Sequence, residues 1–228
     1  MDENRKPGKL REIWAYLPEA FRFYNLKNEY VAAVIFTFLL IITYIPVFFS
    51  SAKIRPVFIY LAVAFILVLD YLFSAVYLTA CIRDSRGLSY RLSDCLTTMF
   101  RNIHRLLAVS MLLMGLIACT ALLVIPAIIF YLMFIFNACL IVDENAGILE
   151  SFKKSKEMTD GRKGRIFNVI LFFALLRILP FMIPVPENRI YAANFVIAFL
   201  SSMISLMQQK AIALMYVDLK KAPGNLPL

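Results

Sequence analysis

Residues 106–142 run for 37 positions without an Asp, Glu, Lys, Arg or His. As one helix at 1.5 Å per residue the stretch would be roughly 55 Å long, whereas the hydrocarbon core of a bilayer is about 30 Å thick. It must therefore fold back on itself. Pro126 lacks an N–H and clashes with the turn before it, which makes it the natural break between 106–125 and 127–142. Two full crossings with almost no loop is one geometry. A re-entrant hairpin is the other, because basic segments flank both ends and charge does not separate the two.

The rest of the chain repeats this plan of apolar stretch and basic connector. Hydrophobic residues make up 61% of it and charged residues 17%, against roughly 45–50% and 25% in soluble domains. The expectation is an all-α, polytopic membrane helix bundle. Six transmembrane helices are predicted at about 30–50, 56–80, 106–125, 127–142, 166–183 and 190–207, the last running on towards Leu219. Two cytoplasmic-side amphipathic helices, at about 88–105 and 147–159, lie between spans. In the first, Leu88, Leu92, Leu96, Met99, Ile103 and Leu107 follow the helical period, with Arg91, Asp94 and Arg101 on the polar side.

In the second amphipathic helix, Asn145 is placed to cap a start near Gly147, and Gly161 to end it, since glycine takes the left-handed conformation without strain. Ile148, Leu149, Phe152 and Met158 fall towards one face, and Lys153, Lys154 and Lys156 reach for phosphate headgroups. Residues 1–28 form a basic N-terminal segment, unlike a cleaved signal peptide. Leu10, Ile13, Trp14 and Leu17 suit an interfacial helix before Pro18, and a partly ordered tail is equally compatible. Residues 220–228 read as a loose tail.

Ser155, then Met158-Thr159, then Gly161, preceded by Ile125-Pro126 and an amphipathic run from Gly147, and followed by a basic pair and an apolar span, form one pattern. With it the chain resembles the YciC-like bacterial integral membrane proteins over about residues 60–220. That group is related to the membrane domain attached to some glycerophosphoryl diester phosphodiesterases. The resemblance implies a six-helix inner-membrane bundle, with Pro126, Ser155, Thr159 and Gly161 as its structural motif. It does not imply phosphodiesterase activity, because the chain has no room for the catalytic barrel.

Twenty of the 24 Lys and Arg residues fall on the side of the connectors at 1–28, 81–105 and 143–165 and of the C-terminal portion. Only Lys53, Arg55 and Arg189 fall in the opposite turns. Positive charge stays inside, so the prediction is a multi-pass protein of a bacterial plasma membrane with both termini cytoplasmic. This placement accounts for the net +9 without a nucleic-acid partner. Arg162, Lys163 and Arg165 suit anionic headgroups in the same way.

Little else spells chemistry. The single histidine, His104, follows a surface helix, and cysteines 81, 95, 119 and 139 show no CxxC spacing and read as reduced small hydrophobes. No phosphate loop, GxSxG or HExxH occurs, so no enzyme activity, metal or cofactor is expected. Two charges fall inside spans, Asp70 and Arg177, at similar depth from the inner boundary. Their equal depth permits an intramembrane charge pair that braces the bundle; the alternatives are that one or both border a hydrated path, or that they snorkel to the interface. Asn137 and Asn194 read as hydrogen-bonding glue between helices.

Two functional classes follow. One is a non-enzymatic membrane protein that binds anionic lipid, or a protein partner or second copy, through Lys153, Lys154, Lys156, Arg162, Lys163, Arg165, Arg91 and Arg101. It would serve in envelope maintenance or as a subunit of a membrane complex. The other is a transporter or channel component whose path passes Asp70 and Arg177.

Overall fold

The computed structural model describes residues 10–50, 56–120, 124–182 and 190–220. The outer turns expected around 51–55 and 184–188, the basic residues before Leu10 and the tail beyond Lys220 lie outside the described residues. Within them the chain is helical, with no strand. The helices are α1 (Ile13–Phe21), α2 (Glu29–Ser50), α3 (Pro56–Ser85), α4 (Leu92–Arg101), α5 (Ile103–Thr120), α6 (Val124–Met133), α7 (Asn137–Glu144), α8 (Ile148–Thr159), α9 (Lys163–Ile178) and α10 (Ile190–Lys220), with a 3-10 turn at Leu179–Met182.

Three helices form the centre: α2, α3 and α10 pack on one another, with α7 and α4 against α3, and α1 and α9 against α10. Aromatic rings fill the seams. Phe38 stacks on Phe73 between α2 and α3, with centroids 4.8 Å apart, and Phe36 meets Phe199 edge-on at 5.1 Å between α2 and α10. On α10, Ala198, Ser202 and Ser205 are buried in the closely packed manner small residues allow, and Ser202 bonds back to the Ala198 carbonyl at 2.9 Å.

Among the described residues three stretches are long and apolar enough to cross a membrane: Ala62–Ser85, Pro126–Glu144 and Ala192–Lys220. Glu29–Tyr44 and Ile103–Gly115 are apolar but shorter. Large side chains such as Phe38, Ile41, Phe65, Leu67, Leu112 and Leu175 stay exposed on the outside of the helices. Such a belt suits acyl chains far better than water.

Several local expectations change. The described part of α5 runs to Thr120 and that of α6 starts at Val124, with Pro126 inside α6, and residues 121–123 between them lie outside the described residues. An interruption that no proline or glycine announces separates α6 from α7 at residues 134–136. The first surface helix is α4 alone, shorter than 88–105, with exposed Leu88 outside it and Asn102 breaking it from α5. Helix α1 continues through Pro18 to Phe21, because Tyr16, Leu17 and Ala20 are buried in the protein core and this tertiary burial outweighs the local penalty.

Asn145 does not cap α8. It ends α7 in the left-handed conformation at φ 53°, and Gly147 precedes α8 with its N–H donating to Glu150 at 3.2 Å. Gly161 follows α8 with φ +67°, the conformation that favours glycine. On the face of α8 that meets the protein, Ile148, Phe152 and Met158 pack against the core as expected. Ser151, Ser155 and Thr159 are fully buried on it, while Leu149 is 84% exposed. Small hydroxyls recur every fourth residue, so α8 can approach α6 and α7 closely.

Candidate functional site

The charged ends of α3, α7, α8 and α10 meet at one end of the bundle. Asp143, in the last turn of α7, accepts a bidentate pair from Arg86 at 2.5 and 2.7 Å, Lys220 Nζ at 2.6 Å and the Tyr216 hydroxyl at 2.8 Å. Its neighbour Glu144 accepts Lys154 at 2.9 Å and Lys220 at 3.1 Å. The Asp143 side chain is 8% exposed, a depth at which a carboxylate needs this many donors to stay ionised. In turn, hydrogen bonding to Asp143 raises the pKa of Arg86 above its ordinary value.

Beside this knot, Asn145 gathers a second set of donors. Its side-chain oxygen accepts Arg101 at 2.9 Å and Asn102 at 3.0 Å, and its carbonyl accepts Arg105. A third knot ties down α1. Asp218 of α10 accepts Arg11 at 2.7 Å and the Tyr16 hydroxyl at 3.0 Å, and Arg11 also pairs with Glu19 at 2.6 Å. Burial opposes the Arg11 charge, but the bonds to Glu19 and Asp218 more than offset it and raise its pKa. Lys210, only 8% exposed, donates to the carbonyls of Arg22 and Asn25 at 2.6 and 3.2 Å.

These contacts redistribute the predicted headgroup contacts. Lys154 is taken up by Glu144 and by Glu150 at 2.7 Å, Arg101 by Asn145, and Arg165 by the Leu10 carbonyl at 3.1 Å. Arg162 donates to the Met158 carbonyl at 3.3 Å, and Lys163 lies 3.6 Å from Asp160. Arg91 precedes α4, where its exposed backbone N–H donates to Asp94 at 2.8 Å. Lys153 and Lys156 remain exposed on α8, with no acidic partner within 4 Å among the described residues. Of the structural motif, Ser155 carries the tertiary contact: its hydroxyl donates to the Met133 carbonyl at 2.8 Å and accepts the Phe136 N–H at 3.3 Å. Its place in the motif gave no sign that it bridges the break between α6 and α7. Thr159 bonds only the Lys156 carbonyl of its own helix.

Inside the bundle, no ion pair within 4 Å joins Asp70 and Arg177 among the described residues. Arg177 is exposed. The Tyr131 hydroxyl accepts Gln208 at 3.3 Å. Asn137 does not serve as glue: it is buried with neither amide atom bonded. A cavity of about 260 Å³ opens between α3, α5, α6 and α10. Its lining is mainly apolar but includes Tyr71, Ser74, Ser110, Tyr131 and Gln209, and the Tyr71 and Ser74 hydroxyls have no partner.

Among the described residues no three His, Cys, Asp or Glu side chains converge as a metal would require. Cys81, Cys95 and Cys139 are free and buried, and burial pushes the Cys95 thiol up to about 11. The chain matches no family model, no curated protein and no solved structure. The arrangement of its own residues therefore carries the functional reading.

Proposed function

We propose that this chain is a non-enzymatic, multi-pass inner-membrane protein of the YciC-like type. In this reading six helices cross the bilayer, both termini are cytoplasmic, and the basic end engages anionic lipid headgroups. The observation that carries it is the state of the cations at that end. Most are consumed in tying helices together, while Lys153 and Lys156 stand exposed on α8, a helix whose opposite face is buried against α6 and α7. An exposed lysine beside a membrane surface attracts anionic lipid by about 1 kcal/mol.

The test compares the native protein with Lys153→Gln/Lys156→Gln in nanodiscs containing phosphatidylglycerol and phosphatidylcholine. The preference for phosphatidylglycerol among bound lipids should fall by about fivefold for each lysine removed. An unchanged preference overturns the lipid reading and moves attention to a protein partner for α8.

A second reading is favoured by the 260 Å³ cavity, because its polar lining comes from four different helices. A mainly apolar cavity with a few convergent hydroxyls suits an amphiphile, and a path of this kind would run near Asp70 and Arg177. In sealed liposomes this reading expects solute or proton flux that Asp70→Asn and Arg177→Gln abolish while the variants stay folded. Absence of flux in the native protein removes it.

A further inference from the structure

Thr79, Arg83 and Arg86 on and just after the last turns of α3, Thr98 and Arg101 on α4, and Asp143 of α7 surround a cavity of about 140 Å³. Three guanidinium groups and one carboxylate share it. That carboxylate is already matched twice over, by Arg86 in bidentate fashion and by Lys220, so the cavity keeps a positive excess. The excess resides on Arg83 and Arg101. Arg83 has a single contact, to the Thr98 hydroxyl at 3.5 Å, the outer limit of a hydrogen bond, and no acidic partner within 4 Å among the described residues. Arg101 spends one terminal nitrogen on Asn145.

A guanidinium carries five N–H donors in a fork, so both arginines hold donors in reserve towards the same space. The threonine hydroxyls do not compete for this role, because their protons go to the Ala75 and Asp94 carbonyls. At ~30 Å³ per water the cavity has room for four or five waters or one compact tetrahedral anion. Paired guanidinium forks match phosphate oxygens better than any other common oxyanion array.

We infer that the cavity between α3, α4 and α7 binds a phosphate group, as a monoester or diester. The inference rests on the anionic-lipid reading above and gives it a defined seat, but the same chemistry fits a soluble phosphate. A lipid has one further feature in its favour. Leu78 and Ala138 line the 260 Å³ cavity, and Ile82 and Val142 line the basic one, which places the two cavities one helical turn apart along both α3 and α7. A phosphate held by Arg83 and Arg101 would sit directly above apolar space.

The experiment uses the full chain in phosphatidylcholine nanodiscs and phosphate-free buffer, as native protein, Arg83→Gln, Arg83→Lys and Lys153→Gln/Lys156→Gln. One arm titrates inorganic phosphate; the other replaces part of the lipid with phosphatidic acid or phosphatidylglycerol. Readouts are the ligand-dependent shift in thermal midpoint and the count of tightly bound lipids by native mass spectrometry. Arg83→Gln should weaken binding by about tenfold or more, with partial rescue in Arg83→Lys, which keeps the charge but loses the fork. The double lysine variant should lower the overall preference for phosphatidylglycerol as described above while keeping the Arg83-dependent component of binding.

Arg83-dependent binding in the lipid arm alone identifies a headgroup, and in the phosphate arm a soluble ligand. If neither arm depends on Arg83 while the lysine variant still loses its anionic preference, the cavity proposal is overturned and the lipid-surface reading stands. Arg83-dependent binding with no effect of the lysines does the opposite: the phosphate seat stands and the role of the surface lysines falls.

Discussion

Replacing Asp143 by Asn should destabilise the folded protein by about 2–4 kcal/mol, the largest effect expected of any single charge in it. The amide is isosteric, so packing is unchanged and the loss is electrostatic. Arg86, Lys220 and the Tyr216 hydroxyl each lose an ionised acceptor, and their side chains are too enclosed for water to replace it fully, at 29% exposure for Arg86 and 32% for Lys220. Because Arg86 follows α3 while Tyr216 and Lys220 belong to α10, and Asp143 itself to α7, the damage is not local: the ends of α3, α7 and α10 separate together. Glu144→Gln provides the internal comparison. Its side chain is 24% exposed and its partner Lys154 is 41% exposed, so screening limits the loss to about 1 kcal/mol or less. Reversible unfolding of the native protein and both variants in one detergent measures the difference. If Asp143→Asn costs no more than Glu144→Gln, the knot is not what holds this end of the bundle.

The second large effect belongs to Ser155. Its side chain is fully buried and makes two bonds to the backbone that interrupts α6 and α7. Ser155→Ala removes both bonds and leaves a buried N–H and a buried carbonyl without this partner, which costs about 1–3 kcal/mol. Ser155→Leu should cost more, about 2–5 kcal/mol, because it adds the strain of an oversized side chain where α8 lies close to the break. Unfolding midpoints of the two variants separate hydrogen bonding from packing. Equal, small losses would show that the interruption is held by the neighbouring helices instead. Ser151→Ala is the control, since the Ser151 hydroxyl bonds only the Ile148 carbonyl of its own helix and should cost under 1 kcal/mol.

Both effects concern residues whose type is legible in the sequence but whose partners are not. By sequence Asp143 marks a boundary between an apolar stretch and a basic helix. Its distance along the chain from Arg86, Tyr216 and Lys220 is 57, 73 and 77 residues, and nothing local indicates such pairings. Lys154 shows the same limit from the other side. By period it belongs with Lys153 and Lys156 on the polar face of α8; Glu150, four residues before it, is a partner visible in the sequence, whereas Glu144 reaches it from α7. Asn145 suits a helix start because Asn is a good N-cap. It adopts instead the left-handed conformation that Asn also tolerates, and the choice between two local options is made by Arg101, Asn102 and Arg105 converging on it.

What the sequence determined by itself were the properties that depend on neighbours a few residues apart. An uncharged run of 37 residues is too long for one straight crossing, Gly161 takes the conformation other residues avoid, and the apolar stretches between basic connectors are helices. Backbone sterics and burial of apolar surface act over that range and leave a period or a break that can be read. The tertiary structure decided which cations remain available, that Leu149 leaves the buried face of α8, and where Pro18 and Ser155 stand relative to the core. Those outcomes depend on electrostatic and packing contacts between helices distant in the chain. A charge or hydroxyl carries no mark of its partner until the fold brings the two within hydrogen-bonding distance.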